Sequence, residues 1–185
     1  MKKAIALALA ATMVIATACS DDQERGNKAA GADSKVEANK TIAAGLEPNG
    51  RFMAAAKAAG LAETLAGPGP YTVFVPADQA FAAAPAGSFD AKPENRARIT
   101  ATLTNLILPG TVLAADIDKA IDQGKGKALL ATMGGGTLTA TKQDGRILLV
   151  DAAGNRATVS QAYQQFTNGV VHQVDALLSP AAARK

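Results

Sequence analysis

One cysteine, one histidine and no tryptophan in 185 residues exclude a good deal. A lone thiol, Cys19, closes no disulfide within the chain, so stability has to come from packing. A lone imidazole, His172, with no second thiol falls short of a usual zinc set, and neither a metal nor a cofactor is expected. A Ser-His-Asp triad would have to use His172, and no catalytic constellation emerges around it. The run Gly134-Gly135-Gly136 lacks the Lys-Ser/Thr that a phosphate-binding loop needs. Basic residues form no clustered face, which argues against nucleic acid as a partner. Aromatics are scarce, at 4%, although 48% of the chain is hydrophobic. Much of that is alanine, so a single sizeable core of many small side chains and few large anchors is expected.

What is present begins with a leader. Lys2 and Lys3 precede an apolar run from Ala4 to Ala18 that is broken only by Thr12 and Thr17. That is short for a spanning helix but right for a signal peptide over residues 1–18. Cys19 follows at once, and Ala16-Thr17-Ala18-Cys19 resembles a bacterial lipobox, in which the cysteine becomes the acylated first residue. An ordinary cleaved signal with an incidental cysteine is the blander alternative. Ser20 in the next position, by resemblance to sorting rules, points to an outer-membrane lipoprotein facing the periplasm or the cell surface. The leader holds two of the 19 bases and none of the 16 acids, so the remaining charge is close to balanced. From Ser20 to Lys40 the chain is charged and free of aromatics, the composition of a flexible tether. Residues 41–180 read as the folded domain and 181–185 as a tail.

Two stretches dominate that domain. Tyr71 to Val75 is a β-branched and aromatic run between Gly/Pro signals, which predicts a buried strand. Pro76 stops it, Asp78 is placed to cap a new helix, and Phe81 lies on the inner face of that helix's first turn. Far along the chain, Asn168-Gly169 predicts a turn and Val170 to Val174 a closing strand. Between them, Thr41 can cap a short helix. Phe52, Ala55, Ala56 and Ala59 predict a second helix. A helix from Pro93 is read as running through Ile107. Thr111 to Leu113 reads as a short strand and Ala114 to Gln123 as a helix. Strands follow over residues 127–132, 137–142, 146–150 and 157–161, with Asp144-Gly145 as a hairpin turn.

The two stretches together resemble the fasciclin (FAS1) family. Thr72, Val73, Phe74, Pro76, Asp78, Ala80 and Phe81 match its first box. Asn168, Gly169, Val170, Val171, His172, Val174 and Asp175 match its second. The resemblance spans roughly Thr41 to Pro180. It implies an α+β fold, a FAS1 β-wedge of two packed sheets with N-terminal helices covering one face. It also implies a non-catalytic role in adhesion or contact with a protein or polysaccharide of the envelope or matrix. Two departures bear on that role. Where animal members carry a Tyr-His pair linked to adhesion, this chain has Asn105 and Leu106. Where family members often carry Asp-Ile or Asp-Val before the second box, it has Tyr163 and Gln164, taken here as the candidate contact residues. Tyr163 and Phe166 fit either an exposed patch or a lid on the core. Some fasciclin-like proteins are described as carrying a hydrophobic small molecule, and alanine-rich helices could line such a cleft or equally pack close. Asp78, Asp175 and His172 read as cap, turn and packing residues.

Overall fold

Tyr71–Pro76 and Gly169–Val174 lie side by side as parallel strands, from Tyr71 opposite Gly169 to Pro76 opposite Val174. The computed structural model that shows this describes residues 35–37, 39–48 and 50–179, without the side chains of 161 and 162. The leader, Cys19, most of the tether and the tail lie outside those residues.

In chain order the elements are β1 (Lys35–Glu37), α1 (Ile42–Gly45), α2 (Arg51–Ala59), α3 (Ala62–Ala66), β2 (Tyr71–Pro76), α4 (Asp78–Ala82) and α5 (Pro93–Thr104), followed by β3 (Ile107–Pro109), α6 (Ala114–Gln123), β4 (Ala128–Ala131), β5 (Thr137–Gln143), β6 (Arg146–Val150), β7 (Arg156–Phe166) and β8 (Gly169–Val174). The strands follow one path, β3-β2-β8-β7-β6-β5-β4, with β1 beside β7. Two sheets meet along β7. Its first residues pair with β6, and after a register shift between Val159 and Tyr163 residues 163–166 pair with β8 on one side and residues 164–166 with β1 on the other. Such a bulge bends a strand and lets it serve both sheets. The path nearly closes on itself, because the Met133 N–H donates to the Ile107 carbonyl at 2.7 Å.

The α+β class follows from that layout. Helices α1, α4 and α5 lie with the β2–β8 sheet, and α6 lies on the β4–β6 sheet with Ile117 and Ile121 inward. The alanine-rich helix α2 packs on α5, burying Ala55, Ala56 and Ala59. Small side chains there allow close approach of the two helices. The few large anchors, Phe74, Ile42, Leu65, Ile99 and Leu103 among them, are fully buried in the same core. Asp144 and Gly145 both take positive φ, 51° and 74°, as the tight β5–β6 hairpin requires.

Four local expectations change. Helix α5 stops at Thr104, not Ile107, and Ile107–Pro109 is a strand antiparallel to β2. A short apolar run fits a buried helix or strand equally, and Leu108, preceding Pro109, is driven toward extended backbone. Thr111 to Leu113 is not a strand, because side chains rather than a neighbouring strand hold its backbone. The tether does not run unbroken to Lys40, since β1 takes the free edge of β7 with Lys35 opposite Gln164. The last long strand continues past Gln161 to Phe166, so Tyr163 and Gln164 sit in a strand.

Candidate functional site

The polar residues of the two boxes converge on backbone. Thr72 Oγ1 donates to the Gly110 carbonyl and accepts from the Val112 N–H, both at 2.8 Å. The Val112 carbonyl in turn accepts from His172 Nε2 at 2.8 Å. Thr72 on β2 and His172 on the adjoining β8 therefore clamp the segment that leads into α6. His172 is fully buried, with Phe74 stacked on it at 5.6 Å and the Tyr163 ring tilted over it at 5.8 Å. With Nε2–H donating, the buried Nδ1 is a bare acceptor, without a partner among the described residues. Burial holds the imidazole below its usual pKa, outweighing the opposite pull of the Val112 carbonyl. Among the described residues the one hydrogen bond of the His172 ring goes to main chain, the arrangement of a packing histidine.

Asn168 is the other knot. Its Oδ1 accepts the Ile42 N–H at 2.8 Å, at the start of α1. Its Nδ2 donates to the Leu65 and Gly67 carbonyls at 2.8 Å, at the end of α3. One buried amide thus satisfies a free helix N–H and two free carbonyls. Thr41, expected to cap α1, makes no side-chain cap. Asn168 itself does not adopt positive φ. Gly169 does, at 150°, and a Cβ there would collide with the Tyr71 carbonyl. The Asn-Gly pair is therefore a tertiary fastening more than a turn signal.

Asp78 does not cap its own helix, whose N-cap is Ala77. Its Oδ1 accepts the Arg51 N–H at 3.0 Å, capping α2 from 27 residues away where Gly50 has no side chain to do so. Asp175 accepts the Thr158 N–H at 2.6 Å and so joins the end of β8 to β7 at the register shift. Pro76 ends β2 opposite Val174. Phe81 packs edge-on against Phe89 at 5.0 Å. Sequence reasoning missed Asp151, a buried carboxylate that accepts the N–H groups of Ala153, Asn155 and Ser179 and the Asn155 side-chain amide. Its signal is the Asp-x-x-Gly-Asn turn that starts there.

The candidate contact residues lie together but only half exposed. Tyr163 is opposite His172, and Gln164 lies between Val171 of β8 and Lys35 of β1. Phe166 is buried, with its ring against Gly45. Asn105 and Leu106, where an adhesive pair would fall, are both buried. Among the described residues no group of three or more His, Cys, Asp or Glu is placed to hold a metal ion. Among them, too, no helix is long and apolar enough to cross a membrane. A cavity of about 310 Å³ lies between α2 and β2, lined by Leu46, Phe52, Met53 and Val75 with Asp78 and Gln173. Another, of about 580 Å³, lies between α2, α4 and the loop at 83–90.

A strand-paired pair of boxes with structurally committed polar residues defines a FAS1 domain, and comparison agrees. The Fasciclin domain family matches residues 50–180. The chain belongs to the fasciclin domain family. It is 36% identical over 141 residues to protein sll1483 of Synechocystis sp., covering 75% of this chain and 71% of that one. It is 36% identical over 76 residues to the uncharacterized protein sll1735 of the same organism, covering 41% of this chain and 57% of that one. Among solved structures it is similar to the FAS1 domain pair of the insect cell adhesion molecule fasciclin I. That likeness has a TM-score of 0.62 at 17% identity, over 76% of this chain and 51% of the other, so the chain spans about half of that structure.

Proposed function

We propose that the protein is a non-catalytic binding module of the cell envelope, exported and held to the membrane by a lipid on Cys19. It presents its FAS1 domain to a protein or polysaccharide partner. The observation that carries this reading is the use of the box side chains. Thr72, Asp78, Asn168, His172 and Asp175 each hold main chain, so the motif builds a rigid body and leaves recognition to surface. The half-exposed strip of β7 at Tyr163 and Gln164 is the contact. Membership of the fasciclin family and the likeness to a domain pair from an insect cell adhesion molecule support the adhesive role. Capture from envelope extract tests the contact. Wild type retains a partner, and Tyr163→Ala and Gln164→Ala weaken retention at a temperature where both variants remain folded. Retention unchanged in both variants removes the strip from the reading. Palmitate labelling that is lost in Cys19→Ser tests the anchor separately.

A second reading, a carrier of a hydrophobic small molecule, draws on the cavity of about 310 Å³ between helix and sheet. That is at the lower bound for ligand pockets, which run from roughly 300 Å³ upward. A lipid or pigment that stays with the purified protein through gel filtration would favour it. An apo protein whose melting is unmoved across a lipid panel would count against it.

A further inference from the structure

The cavity of about 580 Å³ has a character that the adhesive role does not use. Its walls are mixed and open to solvent: Ala54 of α2, Phe81 and Ala82 of α4, and Pro85 and Phe89 of the loop supply apolar surface, and Arg51, Ser88 and Asp90 supply polar surface. The loop is fastened from behind by α5. Asn95 Nδ2 donates to the Gly87 and Asp90 carbonyls at 2.8 and 3.1 Å, and Arg98 Nη2 donates to the Ser88 carbonyl at 2.8 Å. The wall is therefore formed in advance of any ligand, which lowers the ordering cost of binding. Its volume lies within the range of small-molecule sites, roughly 300–1,000 Å³.

Two charged side chains line it, and only one is compensated. The Asp90 carboxylate pairs with Lys92 at 3.3 Å. The exposed Arg51 guanidinium has no ion-pair partner among the described residues. The neighbouring acid, Asp78, takes the Arg51 backbone N–H instead. An open pocket with one apolar side thus carries at its edge a cation without an ion-pair partner among the described residues, and a guanidinium is a fork shaped for a carboxylate.

We propose that this cavity binds a small organic acid, with an aromatic or short aliphatic body between α2 and the Phe81–Phe89 pair and its carboxylate on Arg51. A neutral analogue fills the same space but leaves the guanidinium without a partner. The inference does not depend on the envelope-binding role, because it concerns a different face and a different readout. Titration calorimetry of the purified protein tests it, with phenylacetate and hexanoate against their amides. At least one acid is expected to bind about 3-fold or more tighter than its amide, since an ion pair on an exposed guanidinium contributes somewhat less than one factor of ten. Arg51→Gln should bring that acid down to the affinity of its amide with no change in melting temperature. Ala54→Leu, which fills the pocket from an exposed helix position, should weaken acid and amide alike. The proposal is overturned if neither acid binds at millimolar concentration, if acids and amides bind equally, or if Arg51→Gln leaves the acid's affinity intact.

Discussion

Asn168 shows how much one side chain can hold. Its amide satisfies groups at the ends of two helices from a buried position, so truncation leaves three backbone groups without partners. Buried groups left unmatched cost more than the bond itself contributes, and Asn168→Ala is expected to lose about 2–4 kcal/mol in urea unfolding. Asn168→Asp should do no better, because a carboxylate can accept from Ile42 but turns lone pairs toward the Leu65 and Gly67 carbonyls. A loss below about 0.5 kcal/mol in Asn168→Ala would show the knot to be idle. His172 gives the chain a pH dependence. Its folded pKa is lowered by burial, so below the ordinary value of about 6.5 the unfolded chain binds a proton that the folded chain refuses. Its contribution is fully present above that value and is lost as pH falls through it toward the lowered folded pKa. The urea midpoint of wild type should therefore fall more steeply from neutral to mildly acidic pH than that of His172→Gln. Parallel curves for the two proteins would refute this.

Among the elements, α2 depends on a residue that is not its own. Asp78→Ala should cost about 1 kcal/mol, as for loss of an N-cap, and should speed amide exchange in the first turn of α2 rather than in α4. Exchange quickened only in α4 would return Asp78 to the role its sequence position suggests. The case marks the reach of local reading. Proline, aspartate and the hydrophobic spacing located α4, but nothing local says that Asp78 turns toward Arg51. The same holds for Asn168, whose partners at Ile42 and Leu65 are more than a hundred residues away. The strands at β2, β5, β6 and β8 and the Asp144-Gly145 hairpin are legible because periodicity and turn chemistry are local signals. The end of α5 was not, since Ile107 and Leu108 become a strand only because β2 offers an open edge. Likewise β1 is polar and brief, with Val36 62% exposed, and takes shape only against β7. Such a strand opens easily, so amide exchange within Lys35–Glu37 should be the fastest of any strand, and Val36→Pro should shift the urea midpoint little. A large loss on that change would make β1 a structural member rather than an edge cover.

For the whole molecule, the two boxes act as one frame. β2 and β8 are each flanked by other strands, and the boxes they belong to carry the fastenings that fix α1, α2, α3 and the approach to α6. Recognition is then left to the exterior, which suits an adhesion-type or binding module. In this chain the positions of the animal adhesive pair are core, and the strip beside the second box is half covered by β1. The proposed contact through that strip would use a surface other than those two positions. The frame is tested most directly by native-state hydrogen exchange across Thr72–Val75 and Val170–Val174. Those amides should exchange only by global unfolding, at the free energy that urea denaturation measures for the whole domain. Exchange of either strand through local openings several kcal/mol below that value would contradict the account, because the two boxes would then not be the part that holds the rest together.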